Sequence, residues 1–90
     1  MSVSIWAKII SNHRVVKGII FDSDETLTYT NFFKFIEKIC GMLKCATPVL
    51  LTKHFNEFEM FNTTKFKSGD FIEEIGFDKL VLENAIKDWQ

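Results

Sequence analysis

The chain has a single arginine, Arg14, and no block of like charge. Its 11 basic and 12 acidic side chains are scattered mostly singly and leave a net charge of −1, so the electrostatic footprint of a nucleic-acid or anionic-membrane binder is missing. One guanidinium also supplies little bidentate phosphate recognition. Lysines such as Lys8, Lys34, Lys53 and Lys65 read as solvated faces and snorkelling stems. No nucleic-acid partner is expected.

Long apolar runs are missing too. None approaches the roughly 18 residues a membrane span needs, and the N-terminus has no cationic flank, long apolar stretch and small-residue cleavage site of a secretory signal. The expectation is a cytoplasmic chain with no membrane partner. In that compartment the two cysteines, Cys40 and Cys45, are expected as buried thiols, not as a disulfide. A spacing of five also sets them on different faces of one helix. No nucleophile elbow, Walker loop or catalytic Cys-His signature occurs, and no repeat, linker or low-complexity tract divides the chain.

What is present is apolar bulk. With 47% hydrophobic residues, ten Phe and two Trp, the chain exceeds the level at which sequences fail to collapse, and 90 residues support one core. The expected fold is a small single α+β domain spanning 1–90. Ser4–Ser11 and Arg14–Asp22 are rich in Ile, Val and aromatics on either side of the turn-prone pair Asn12-His13, which predicts an N-terminal β-hairpin. Gly18 within the second strand marks a bulge, a close backbone approach or a tolerated glycine.

Helical spacing follows. Phe32, Ile36, Ile39 and Leu43, widened by Phe33 and Cys40, predict a helix over about 31–44 behind a Thr30 or Asn31 cap. Gly41 costs this helix about 1 kcal/mol relative to Ala, which suggests packing against another backbone or fraying toward Cys45. Thr47-Pro48 is a helix-start signal, and Leu51, Phe55 and Phe58 share a face, so a second helix over about 48–60 is predicted. From Asn62 to Gly76 the pattern breaks down, with Thr63-Thr64 suiting extended structure and Ser68-Gly69-Asp70 forming a turn. The C-terminal segment is a strand or a helix: Leu82, Ala85, Ile86 and Trp89 fit a helix behind Asp78, whereas Lys79–Glu83 fits a strand. The strand is preferred near 79–84, because a two-stranded hairpin alone is marginal in water.

The most distinctive run is Asp22-Ser23-Asp24-Glu25-Thr26, after the apolar Val15–Phe21 segment. It resembles the opening motif of the haloacid-dehalogenase phosphatases. That resemblance implies a Mg²⁺-dependent phosphoryl-transfer site with Asp22 as nucleophile and Asp24 as acid. It further implies Thr52 as the phosphate-binding hydroxyl, Lys65 or Lys67 as the lysine, and Asp70 with Glu73 or Glu74 as metal-binding acids. Spacing opposes the complete fold. Parallel strands need connections of a dozen or more residues, and only residues 53–69 separate Thr52 from Asp70. Glu25 also replaces the usual glycine, and Lys65-Phe66-Lys67-Ser68 is not the apolar strand that delivers the metal ligands. The leading expectation therefore assigns no catalytic residue, no metal and no cofactor, with Asp22, Asp24 and Asp70 around Mg²⁺ as the alternative. Acidic and hydroxyl residues are equally what turns and caps use.

Other constellations fail on spacing. A calcium loop starting at Asp22 has Leu27 where glycine is needed and Phe33 where glutamate is needed. Cys40, Cys45, His13 and His54 match no common zinc spacing, so buried cysteines and surface histidines are expected. His54 and Glu57, three apart, place an imidazole beside a carboxylate as a general base or metal ligand is placed, or simply share a solvated helix face.

Pro48–Glu59, Thr64-Lys65-Phe66, Asp70–Glu73 and Phe77–Leu80, with Trp6–Ile10 and the hairpin, resemble short uncharacterised proteins of bacteria across nearly the whole chain. The resemblance implies a class and no activity. The function expected is thus non-enzymatic protein–protein interaction. Its surface is exposed edge-strand backbone near Trp6 plus any Phe the core cannot hold, and its partner is another protein or a second copy in a homodimer.

Overall fold

The β-branched and aromatic residues crowding both arms of the predicted hairpin form long strands, β1 (Val3–Ser11) and β2 (Arg14–Ser23), in a computed structural model that describes residues 3–85. Asn12 and His13 join them with φ of 54 and 64, the left-handed pair of a type I′ turn whose twist matches the strands. The Asp78 carboxylate accepts the Asn12 N–H at 2.9 Å and braces this turn. The register slips between Ile9 and Ile10, where β2 carries one extra residue. Gly18 lies beyond that bulge. It serves a close approach instead, since a Cβ there would meet Trp6 Nε1 at 3.3 Å.

Helix α1 runs Tyr29–Leu43, two residues ahead of the expected start, because Thr28 is the cap and its hydroxyl accepts the Asn31 N–H at 3.1 Å. Phe32, Phe35, Ile36, Ile39, Cys40 and Leu43 are its buried face. Phe33 points outward and Phe35 takes the place expected for it. Gly41 neither packs against backbone nor frays; the space beside it is open and the helix continues to Leu43.

Helix α2 runs Thr52–Phe61, so the expected start at Pro48 is corrected. Pro48 is buried in non-helical chain, and Val49 donates its N–H to the Asp70 carbonyl at 2.8 Å. That long-range bond outweighs the local preference of proline for a first helical turn. The extended structure expected at Thr63-Thr64 is a full strand, β3 (Thr63–Lys67), and the turn expected at Ser68-Gly69-Asp70 is a 3-10 turn. Strand β4 (Lys79–Asn84) realises the C-terminal strand preferred over a helix; Ile86 and Trp89, invoked for the helix, lie outside the described residues.

The four strands form one antiparallel sheet in the order β2-β1-β4-β3. Both helices lie on one face. There Ile5, Ala7, Leu80, Leu82 and Phe66 meet Phe32, Ile36, Ile39 and Phe58 in a single core. Paired rings knit it, with centroids of Phe21 and Phe35 and of Phe32 and Phe58 both 5.2 Å apart. Six Phe are buried and Phe55 and Phe77 pack partly against them, which leaves Phe33 and Phe61 exposed. The architecture is α+β.

Candidate functional site

Among the described residues, one face of the sheet carries no helix. Alternation along the strands places Ser4, Trp6, Lys8 and Ile10 of β1 there, with Ile20 and Asp22 of β2, Val81 and Glu83 of β4, and Lys65 and Lys67 of β3. Trp6 is 41% exposed and Ile20 51%, so the surface has an apolar centre. The Trp6 indole is braced: Lys8 Nζ sits 4.3 Å from its ring centroid, and Lys8 also bonds Glu83 at 3.0 Å. Gly18 leaves room beneath the indole nitrogen.

The edge expected near Trp6 is corrected by the strand order. β1 lies inside the sheet, paired with β2 on one side and β4 on the other, and among the described residues the free edges belong to β2 and β3. Hydrogen-bond alternation fixes which groups those edges present. Asn84 donates its N–H to the Asn62 carbonyl at 2.8 Å, and Ala85 donates to Ser4 at 2.8 Å. Continued through the registers, this directs Lys17, Ile19 and Phe21 of β2 toward β1 and the peptide groups of Gly18, Ile20 and Asp22 outward. On β3, Thr63, Lys65 and Lys67 face outward, and the Lys67 N–H is taken by Asp70 Oδ2 at 2.9 Å. The β2 edge is longer and carries few charges.

The phosphatase-like residues are not brought together. Asp22 pairs with Ser4 near one end of the β2 edge, whereas Asp70 follows β3 beyond Lys67, whose neighbours across the sheet are Lys79 and then Ile10. Three strand intervals and six residues along β1 separate the two positions, roughly 20 Å or more. Asp24 is exposed just after β2, Ser23 Oγ accepts the Glu25 N–H at 3.1 Å, and Thr28 caps α1, so the acidic run serves as a strand-to-helix junction. Thr52 opens α2 and is exposed, while Glu73 and Glu74 lie in the loop before β4. No group of three or more His, Cys, Asp or Glu capable of holding a metal occurs among the described residues.

His54 is not a surface histidine. Its side chain is 1% exposed, against the Phe66 ring at 4.3 Å between centroids. Nδ1 accepts the Leu51 N–H at 3.0 Å, which leaves the neutral ring's proton on Nε2. Among the described residues Nε2 has no hydrogen-bond partner, and it stands 3.7 Å from Asp70 Oδ2. Burial pushes the imidazole below its ordinary pKa, against the pull of the Asp70 carboxylate. Glu57, offered by sequence as its companion, instead accepts the Thr64 hydroxyl at 2.8 Å. The sequence signal for burial of His54 was its spacing of four from Phe58, with which it shares the buried face of α2.

The cysteines also depart from expectation. Both are free, but the chain reverses after Leu43 and the Cys45 N–H meets the Cys40 carbonyl at 3.0 Å. That backbone bond sets the two cysteines side by side, so placement on different faces of one helix fails where the helix ends.

No helix among the described residues is long and apolar enough to cross a membrane. No family model, curated protein or solved structure matches the chain.

Proposed function

We propose that this is a cytoplasmic, non-enzymatic interaction domain that works by adding a strand at the free edge of β2, and that the chain pairing there is a second copy of itself. The observation that carries the reading is the edge: ten residues with the peptide groups of Gly18, Ile20 and Asp22 turned outward. Unpaired backbone of this kind is a template for another strand, and proteins ordinarily blunt it with charge or proline. β2 has little of either, holding Arg14, Lys17 and Asp22 among apolar residues. Antiparallel self-pairing sets the Arg14 end of one strand toward the Asp22 end of the other. It also joins the exposed Ile20 and Trp6 of two open faces into one apolar surface.

Sedimentation at rising protein concentration tests this. Reversible dimerisation supports the reading, and a substitution on the open face at Ile20 locates the contact.

A further inference from the structure

Helix α1 ends on a residue other than glycine. Lys44 takes the left-handed conformation at φ 60, ψ 47, and two backbone bonds lock the reversal: Lys44 N–H to the Gly41 carbonyl at 3.3 Å and Cys45 N–H to the Cys40 carbonyl at 3.0 Å. Together they make a Schellman motif, which brings the side chains at its first and last positions into contact. Those positions are Cys40 and Cys45. The 3.0 Å backbone bond between these two residues holds them as neighbours at the end of α1.

The two thiols differ in what can reach them. Cys40 is fully buried on the core face of α1. Cys45 is half-buried and lines an open cavity of about 570 Å³. The charged groups around that cavity are Lys17, Lys44, Glu73 and Glu74. Lys17 is held in place, its Nζ donating to the Leu43 carbonyl at 3.0 Å. Its ammonium thus stands at the negative end of the α1 dipole, where it offsets a field that disfavours a thiolate. The neighbouring Cys40 thiol first, and the Lys17 charge after it, hold the Cys45 thiol below its ordinary range despite partial burial. The neighbouring Cys45 thiol and burial push Cys40 up.

We propose that Cys45 is a redox-reactive thiol with Cys40 as its resolving partner, and that a hydroperoxide converts the pair into an intramolecular disulfide. The hydroperoxide enters from the cavity, because Cys40 is closed to solvent. The Cys45 thiolate attacks one peroxide oxygen; an S–O bond forms, the O–O bond breaks, and the departing alkoxide or hydroxide takes a proton from water. Sulfur has then lost two electrons to the peroxide and stands as a sulfenic acid. The Cys40 sulfur attacks the Cys45 sulfur next. An S–S bond forms, the S–O bond breaks, and the hydroxide leaves with the Cys40 proton as water. In a reducing compartment such a disulfide is transient, which suits a sensing or cycling role.

Hydrogen peroxide titration read by intact mass tests the proposal. The wild-type chain is expected to lose two hydrogens and to recover them with dithiothreitol. Cys40→Ser is expected to stop at a sulfenic acid that dimedone traps, and Cys45→Ser to resist oxidation. Because either variant can perturb packing, wild-type protein carries a second readout: brief iodoacetamide treatment labels Cys45 at least about tenfold faster than Cys40, and Lys17→Gln slows that labelling several-fold. Direct accumulation of sulfinic acid in the wild type, disulfides formed only between chains, or equal labelling of both cysteines overturns the proposal.

Discussion

His54 Nε2 and Asp70 Oδ2 face each other across 3.7 Å, a buried imidazole beside a carboxylate that is 22% exposed. The distance is too long for a hydrogen bond, yet the two residues tie three segments together. His54 Nδ1 accepts the Leu51 N–H at the start of α2, Asp70 Oδ2 accepts the Lys67 N–H at the end of β3, and the Asp70 carbonyl accepts the Val49 N–H of the preceding loop. Since the neutral ring is the one that accepts from Leu51, protonation at Nδ1 breaks the arrangement from within.

Stability should therefore depend on pH in a defined direction. Burial lowers the folded-state pKa of His54 below its ordinary 6.5. A group with a depressed folded pKa binds more protons when unfolded. Its contribution is complete above pH 6.5 and declines as pH falls below that value toward the folded pKa. Urea denaturation between pH 7.5 and 5 should show this decline, and His54→Gln should flatten it. An unchanged slope in the variant contradicts the assignment.

Asp70→Ala removes an acceptor from the Lys67 N–H and the facing charge from His54. The expected loss is about 1–2 kcal/mol, from one charge-assisted hydrogen bond and a less favourable neighbourhood. Denaturant midpoints with an unchanged m-value measure it. The same substitution should leave the β2 edge unaffected, because Asp70 lies beyond the opposite edge strand.

Gly41→Ala should stabilise the domain by about 0.5–1 kcal/mol, read as a rise in thermal midpoint. Its backbone has no positive φ and nothing stands within 4 Å of where the new Cβ would sit, so only the flexibility of glycine is lost. A fall in the midpoint would show that the end of α1 needs that flexibility.

Mg²⁺ titration followed by amide NMR discriminates the phosphatase-like alternative. A shared metal site requires Asp22, Asp24 and Asp70 to respond together. The separation of Asp22 and Asp70 across the sheet predicts that no saturable response joins them. A single binding curve common to all three would overturn the strand order as well as the functional reading.

The parts legible in the sequence are those set by local periodicity. Ile36, Ile39 and Leu43 announced α1, the Asn12-His13 turn announced the hairpin, and the argument that a hairpin needs a third strand placed β4 at Lys79–Asn84. What stayed hidden was set by distant contacts. β3 was legible only at Thr63-Thr64, because it offers only Thr64 and Phe66 to the core among exposed Thr63, Lys65 and Lys67. The central position of β1 follows from β4 inserting beside it, so Trp6 passed for an edge residue. His54 shares its helix face with Phe58, but Phe66, which buries it, and Asp70, which faces it, are distant in sequence. The meeting of Cys40 and Cys45 depends on Lys44, a residue with no glycine-like signature, adopting the left-handed conformation.

Sedimentation of the wild type beside Ile20→Lys tests self-pairing at the β2 edge. Ile20 is 51% exposed on the open face while its peptide group points outward, so a lysine there spares the monomer and places like charges together in a self-paired edge. The wild type is expected to dimerise reversibly as concentration rises, and Ile20→Lys to remain monomeric with an unchanged melting curve. A wild type that stays monomeric throughout, or a variant that dimerises equally well, contradicts self-pairing there.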